Sequence, residues 1–182
     1  MRRTRRWKGC CSRILAGMAY YLGKERGEGV IAAWRRYQQY LLQHREGFPQ
    51  NAFSLATAEW YHDPNDHRCP HDGWLQSLFF SASAAEPKKR PLTLQIRLLG
   101  AYHDAYVEFT YPQIFGYTLE GPSSAVLGDW LYDEFRITSK NHLVHEIEWA
   151  GSGNATGARW IIEADDVEFR WFPISGGGPL KQ

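Results

Sequence analysis

The chain of 182 residues is poor in the features that mark several common protein classes. It has three cysteines, too few for a disulfide framework, and this usage is typical of a reducing compartment such as the cytoplasm. No apolar run approaches the eighteen or so residues of a membrane-spanning helix, so we expect no membrane segment. The phosphate-binding loop, the nucleophile elbow, the dinucleotide fingerprint and the Cys-x-x-Cys pair are also missing from the sequence.

Positive and negative charges nearly cancel over the whole chain, but they are unevenly distributed along it. The formal net charge is +1, yet residues 1–50 carry a net +8 and residues 51–182 a net −7. Much of the positive excess lies in residues 1–17, which we interpret as a disordered basic tail or a mis-assigned start, with Met18 as the alternative first residue. A basic arm for nucleic acid, or a targeting segment, remains the alternative, so nucleic-acid binding is expected only if residues 1–17 are native.

Hydrophobic periodicity predicts a helical start. Apolar residues recur at helical spacing between Gly29 and Arg45, in a stripe that comprises Val30, Ile31, Trp34, Tyr37, Leu41 and Leu42. A second, shorter helix is predicted after Asn51, which can cap its first turn. We therefore assign residues 18–60 to a helical segment.

From Trp74 onward the period changes to two, which predicts strands. About eight strands follow one another as hairpins, with no helix-length crossover between them, so the pattern argues against a parallel sheet. We predict an α+β fold: N-terminal helices packed on an antiparallel sheet of about eight strands, with a sandwich or a partial barrel as the expected ways for the sheet to fold on itself. Residues 61–173 form the β-domain, residues 174–182 a flexible tail, and residues 18–173 one folding unit.

Two faces are expected in the last strands. One is apolar and runs from Phe135 to Trp171, and it must be covered by the helix around Trp34 or by a second layer of sheet. The other alternates acids with arginines, including Glu134, Arg136 and Glu146. We interpret it as a solvated ladder of ion pairs, with a divalent-cation site as the alternative.

The histidines indicate where chemistry could lie. The segment 62–73 is rich in His, Cys and Asp, and a second His-Asp corner stands at His103-Asp104; the two corners could meet at one end of the sheet. Imidazole and thiolate are zinc ligands, although the spacing matches no established finger. The candidate ligands of a zinc ion are His67, Cys69, His71 and His103, with His145 as a further one. A tight loop that satisfies its own polar groups is the alternative reading.

Several short segments carry a resemblance. They are Met18–Gly23, Ala33–Tyr37, His67–Trp74, Leu98–Asp104, Asp133–Arg136 and His145–Trp149. Together they resemble a group of uncharacterised bacterial proteins with a helical start and a His-Asp-led β-domain, across about residues 18–173. At the level of fold the chain is also similar to small proteins that neutralise bacterial toxins. Neither resemblance implies a catalytic residue.

The function expected from these patterns is non-enzymatic protein binding of an immunity-like kind, with no resident cofactor. An acidic β-domain attracts a basic partner, and aromatic side chains anchor interfaces. The candidate binding residues are Trp60, Tyr61, Trp74, Tyr102, Trp130 and Tyr132. A metal-dependent hydrolase or nuclease built on the His/Cys/Asp loop is the alternative, and nucleic-acid binding through the basic start is the second alternative.

Overall fold

The computed structural model describes residues 20–23, 29–82, 91–121, 127–151 and 157–174. It confirms the predicted fold class, with two helices followed by eight antiparallel strands. The helices are α1 (Val30–Gln43) and α2 (Gln50–Ala56), with short 3₁₀ turns at Arg45–Gly47 and Glu59–His62. The strands are β1 (Trp74–Ala82), β2 (Leu92–Leu99), β3 (Ala105–Tyr111), β4 (Ile114–Leu119), β5 (Trp130–Ile137), β6 (Leu143–Trp149), β7 (Ala158–Ala164) and β8 (Glu168–Pro173).

The strands form two sheets of four, and no closed barrel. The first sheet has the order β1-β2-β3-β8 and the second the order β4-β7-β6-β5, with every neighbouring pair antiparallel. The apolar faces of both sheets contribute to one core, in which the rings of Phe109 and Trp130 stack 5.2 Å apart. A second layer of sheet therefore covers the apolar face, because two faces of alternating apolar residues can hide each other from water.

Helix α1 lies along the free edge of β5. Tyr37 Oη accepts a hydrogen bond from the Phe135 backbone N–H at 2.8 Å and donates one to the Phe135 carbonyl at 3.0 Å. Tyr40 Oη accepts another from the Ile137 N–H at 3.0 Å. Two tyrosines thus satisfy backbone groups that an uncovered edge strand would offer to another chain.

The buried stripe of α1 is narrower than the sequence predicts. Ala33, Tyr37 and Leu41 are buried, whereas Val30, Ile31 and Leu42 are exposed. The inclusion of these three in the buried stripe was wrong. The reason is that α1 contacts an edge strand and the 3₁₀ turn at Glu59–His62 instead of lying across a whole sheet face.

The charged face of the second sheet is buried at its centre, which corrects the expectation of a solvated ladder. Glu134, Arg136 and Glu146 are almost fully inaccessible. Arg136 contacts both glutamates and Arg159 contacts Glu146, so the ion-pair ladder itself exists. Residues 20–23 cover it: Glu134 Oε2 accepts the backbone N–H groups of Tyr21 at 2.8 Å and Leu22 at 2.9 Å.

The ring of Tyr20 lies over the guanidinium groups of Arg136 and Arg159, at 5.9 and 5.7 Å. Its hydroxyl donates to the Tyr132 carbonyl at 3.2 Å. A short segment that precedes α1 therefore closes the outer face of the second sheet, a long-range contact that the alternation pattern of the strands does not encode.

The predicted tail at residues 1–17 lies outside the described residues, as do the interpretation of Met18 as the first residue and all but the first residue of the predicted tail at 174–182. Among the residues that the structure describes, no helix is both long and apolar enough to span a bilayer.

Candidate functional site

The loop before β1 and the loop after β2, each of which carries a predicted His-Asp corner, meet at one end of the first sheet. Trp74, the first residue of β1, pairs with Leu99, the last residue of β2, so the chain before β1 and the chain after β2 lie side by side. Across this junction His67 Nδ1 donates to Asp104 Oδ2 at 2.6 Å. We call the surface formed by residues 62–74 and 100–104 the loop-end surface.

Ring contacts hold the two loops of the loop-end surface together. The His67 and Tyr102 rings stack at 3.9 Å, and the Trp74 and His103 rings meet edge to face at 4.3 Å. Tyr102 Oη also donates to the Pro64 carbonyl at 3.1 Å. These contacts limit the rotation of side chains that are otherwise exposed, which lowers the entropy cost when such side chains bind a partner.

One residue in each of the two loops has a backbone conformation that is uncommon for residues other than glycine. Asp72 has φ +61° and His103 has φ +56°. Asp, Asn and His tolerate the left-handed region better than other side chains do, so the residue types fit the turns. The Asp72 N–H also donates to the Trp130 carbonyl at 2.8 Å, which ties the loop before β1 to the start of β5 in the other sheet.

The loop-end surface is acidic. It carries four carboxylates, those of Asp63, Asp66, Asp72 and Asp104, and one guanidinium, that of Arg68. Arg68 makes a two-point ion pair with Asp66, with N–O distances of 2.9 and 2.7 Å. The side-chain hydrogen bonds from Arg68 hold the pKa of Asp66 at about 2, so this pair adds no net charge and the surface remains negative at neutral pH.

Two of the six predicted binding aromatics are exposed on this surface. Trp74 and Tyr102 are each 46% exposed. Trp60 and Tyr132 are half-buried, and the face of Trp60 is covered by the Arg68 guanidinium at 4.6 Å.

Tyr61 and Trp130, in contrast, are almost completely buried. Their assignment as surface anchors is therefore corrected to a place in the core. Alternation alone did not distinguish these aromatics from the exposed ones, because all six lie at or near the ends of predicted elements.

A further exposed aromatic, Trp171, adjoins the loop-end surface. The sequence placed it on the buried face of the last strands, but its side chain is 36% exposed. Its Nε1 donates to the His67 carbonyl at 3.2 Å. The difference arises because β8 is the edge strand of the first sheet, where the covering layer ends.

Each of the four candidate zinc ligands contacts a different residue. His67 binds Asp104, His103 contacts Trp74, and His71 Nδ1 lies 3.1 Å from Asp72 Oδ1. Cys69 is buried and its Sγ donates to the Tyr61 carbonyl at 3.1 Å; burial raises the pKa of its thiol to about 12. Within the described ranges, no three His, Cys, Asp or Glu side chains form a group that could hold a metal ion.

His145, the fifth metal candidate, belongs to a hydrogen-bonded network inside the core. Its Nε2 lies 2.9 Å from Asp133 Oδ2, and its Nδ1 lies 2.5 Å from Tyr111 Oη. Burial lowers the pKa of His145 despite the neighbouring carboxylate. A neutral imidazole that donates from Nε2 to Asp133 must accept at Nδ1, so Tyr111 is the donor there.

Asp133 is the centre of this network. Its carboxylate also accepts hydrogen bonds from Tyr61 Oη at 2.6 Å and from Trp130 Nε1 at 2.9 Å. Burial alone raises the pKa of Asp133, but the hydrogen bond from His145, with a smaller contribution from the hydrogen bond of Tyr61, lowers it overall. A buried Asp-His-Tyr chain resembles a proton relay, but His145 and Tyr111 have no exposed surface, so the geometry supports a structural role.

Beside this network lies a cavity of about 330 Å³ between the start of α1, the loop 61–71 and the start of β5. Its lining is mainly apolar. The lining residues are Leu22, Val30, Ile31, Trp34, Tyr61, His62, Pro64, Cys69, Pro70, His71, Leu131, Tyr132 and Asp133. The sequence did not predict this cavity, because its walls come from four segments that are distant along the chain.

Comparison of the chain with protein-family models, with curated proteins and with solved structures yields no match.

Proposed function

We propose that the protein is a non-enzymatic binding module that docks a basic protein partner on the loop-end surface. The observation that carries this proposal is the grouping of two exposed aromatic residues, Trp74 and Tyr102, with exposed carboxylates on loops that are fixed by ring contacts. Aromatic side chains supply most of the energy of many interfaces, and complementary charge accelerates association. The resemblance to toxin-neutralising proteins makes a basic toxin one candidate partner.

Charge favours a basic partner over an acidic one. Residues 51–182 carry a net −7, and the loop-end surface contributes to this excess through Asp63, Asp72 and Asp104. Each of these three side chains lies in an exposed residue. A partner that brings lysines or arginines to this surface would gain attraction that falls as salt concentration rises.

The metal-dependent hydrolase receives less support from the geometry. Its candidate ligands contact different partners, as described above, and the one thiol among them is buried with a raised pKa. The nucleic-acid alternative depends on residues 1–17, which lie outside the described residues.

Affinity capture from a nuclease-treated lysate of the source cell tests the proposal. The bait protein is compared with the variant Trp74→Ala/Tyr102→Ala and with the control Phe79→Ala/Tyr117→Ala, which removes two exposed aromatics outside the loop-end surface. We expect a basic protein that binds the bait and the control at low salt and is lost from the Trp74/Tyr102 variant. Loss of an interface aromatic typically weakens binding by about thirtyfold or more.

The purified partner then provides the decisive measurement. Asp72→Asn should weaken its binding and reduce the salt dependence, while Glu168→Gln, a charge removal on β8, should change neither. Asn also tolerates the positive φ of residue 72, so the turn is retained. Equal binding by all the variants, or a captured protein that is acidic, would contradict the proposal.

A further inference from the structure

The geometry points to a second binding site, which shares the loop 62–71 with the loop-end surface: the cavity at the start of α1 takes a neutral, flat aromatic molecule that carries one hydroxyl group. The size, the lining and the unmet hydrogen bond of His62 each restrict the ligand. A cavity of about 150 Å³ lined by aliphatic side chains accommodates benzene. The cavity here, at about 330 Å³, has room for two fused rings.

The polar groups of the lining are mostly engaged within the protein. Tyr61 Oη donates to Asp133, whose carboxylate also accepts from Trp130 and His145. Cys69 Sγ donates to the Tyr61 carbonyl. These groups have no hydrogen bond left that a ligand must satisfy.

Two buried ring nitrogens of the lining differ from these groups, since His62 Nε2 and His71 Nδ1 have no hydrogen-bond partner among the described residues. His71 Nδ1 lies 3.1 Å from Asp72 Oδ1, which leaves His62 Nε2 as the atom for a ligand to reach. The His62 ring is held between Trp34, at 4.6 Å, and Tyr61, at 4.8 Å, both edge to face. A buried polar atom without a partner is unfavourable, so a ligand hydroxyl that reached Nε2 would add both affinity and orientation.

Charge also restricts the ligand. Burial lowers the pKa of His62, so its imidazole is neutral at pH 7. The neighbouring Asp133 has a lowered pKa and is ionised. The described lining residues include no lysine or arginine, so an anionic ligand would be repelled by that carboxylate, whereas a neutral ring would not.

The rim of the cavity is apolar as well. Val30 and Ile31, in the first turn of α1, are 61% and 69% exposed and line the cavity. A flat apolar ligand in the cavity would cover part of this exposed surface. This accounts for aliphatic side chains at exposed positions of α1.

A titration with 2-naphthol and with naphthalene, followed by amide chemical shifts in NMR, tests the site. We expect saturable binding of 2-naphthol with the largest shifts at Ile31, Trp34 and Leu131, and binding of naphthalene that is about tenfold weaker because the hydrogen bond to His62 is missing. The variant His62→Leu should bind the two probes equally. The same probe selectivity in His62→Leu, or shifts confined to other parts of the chain, would overturn the assignment.

A matched pair of variants on α1 keeps the test informative if His62→Leu does not fold. Ile31→Glu places a carboxylate at the rim, while Leu42→Glu makes the same change at an equally exposed position (68%) at the other end of the helix. We expect Ile31→Glu to weaken 2-naphthol binding at least fivefold, through lost apolar contact, and Leu42→Glu to leave it unchanged. Equal affinity of both variants, or no saturable binding by the wild-type protein, would refute the site.

Discussion

The imidazole of His145 and the carboxylate of Asp133 lie 2.9 Å apart in the core, with no water-exposed surface on the histidine. Asp133 is ionised there because three donors, on Tyr61, Trp130 and His145, replace the water that it loses on folding. A buried charge without such partners would be very costly. The network therefore connects the 3₁₀ turn at Glu59–His62, β5 and β6 through the carboxylate of Asp133.

Asp133→Asn is expected to lower the free energy of unfolding by about 2–4 kcal/mol. The asparagine has nearly the same volume, but its amide group would direct donor hydrogens at a site where three donors already converge. Asp129→Asn is the control, since Asp129 is exposed just before β5, four residues ahead of Asp133, and should change stability by less than about 0.5 kcal/mol. Urea unfolding followed by tryptophan fluorescence measures both. A loss for Asp133→Asn no larger than for Asp129→Asn would show that the network does not stabilise the fold.

Tyr37→Phe is expected to destabilise the protein by about 1–3 kcal/mol, because both the N–H and the carbonyl of Phe135 lose their partner while they remain buried. Tyr40→Phe removes one hydrogen bond, to the Ile137 N–H, at a half-buried site and should cost less. Thermal unfolding of the two variants gives the comparison. If Tyr40→Phe proves the more damaging, the edge of β5 is not closed in the way described.

The stability of the protein should depend on pH through Glu134. Burial raises its pKa to about 7, although Arg136 and the N–H groups of Leu22 and Tyr21 act in the opposite direction. Below the ordinary glutamate pKa both the folded and the unfolded chain bind the proton at residue 134, so the stabilising contribution of Glu134 is fully present. As the pH rises from about 4.5 to 7 the unfolded chain loses the proton first, and stability falls by on the order of 3 kcal/mol.

Glu134→Gln should remove that part of the pH profile, as measured by isothermal unfolding from pH 4.5 to 8. The exposed Glu120→Gln is the control and should retain the wild-type slope. His62 and His145 act with the opposite sign, since burial lowers the pKa of each and stability falls as the unfolded chain protonates in acid. The difference between the pH profiles of the wild-type protein and Glu134→Gln gives the contribution of Glu134 alone. Parallel profiles for the two proteins would contradict its raised pKa.

Cys69 should be unreactive in the folded protein. Burial raises the pKa of its thiol to about 12, so almost no thiolate is present at pH 8. In a Cys10→Ser/Cys11→Ser background Cys69 is the remaining cysteine of the chain. We expect no reaction with a disulfide reagent until guanidinium chloride unfolds the protein, and then complete reaction. Rapid labelling under native conditions would place the thiol at the surface.

The sequence by itself determined the fold class and almost every strand, since a period of two appears wherever a strand has one buried face. The alternation predicts strands at Ile114–Leu119 and Leu143–Trp149, and these ranges coincide with β4 and β6. It also indicated that the loops before β1 and after β2 could meet, because hairpin connection places both at one end of a sheet.

Only the tertiary structure decided which side chains are exposed to solvent. The sequence predicts that Glu134 and Arg136 lie on a solvated face, yet residues 20–23 cover them. It predicts that Tyr61 and Trp130 are surface anchors, yet both are buried beside Asp133. The cavity beside His62 likewise depends on four segments that only the folded chain brings together. Local periodicity reports which face a residue occupies, whereas burial depends on what distant parts of the chain are placed against that face.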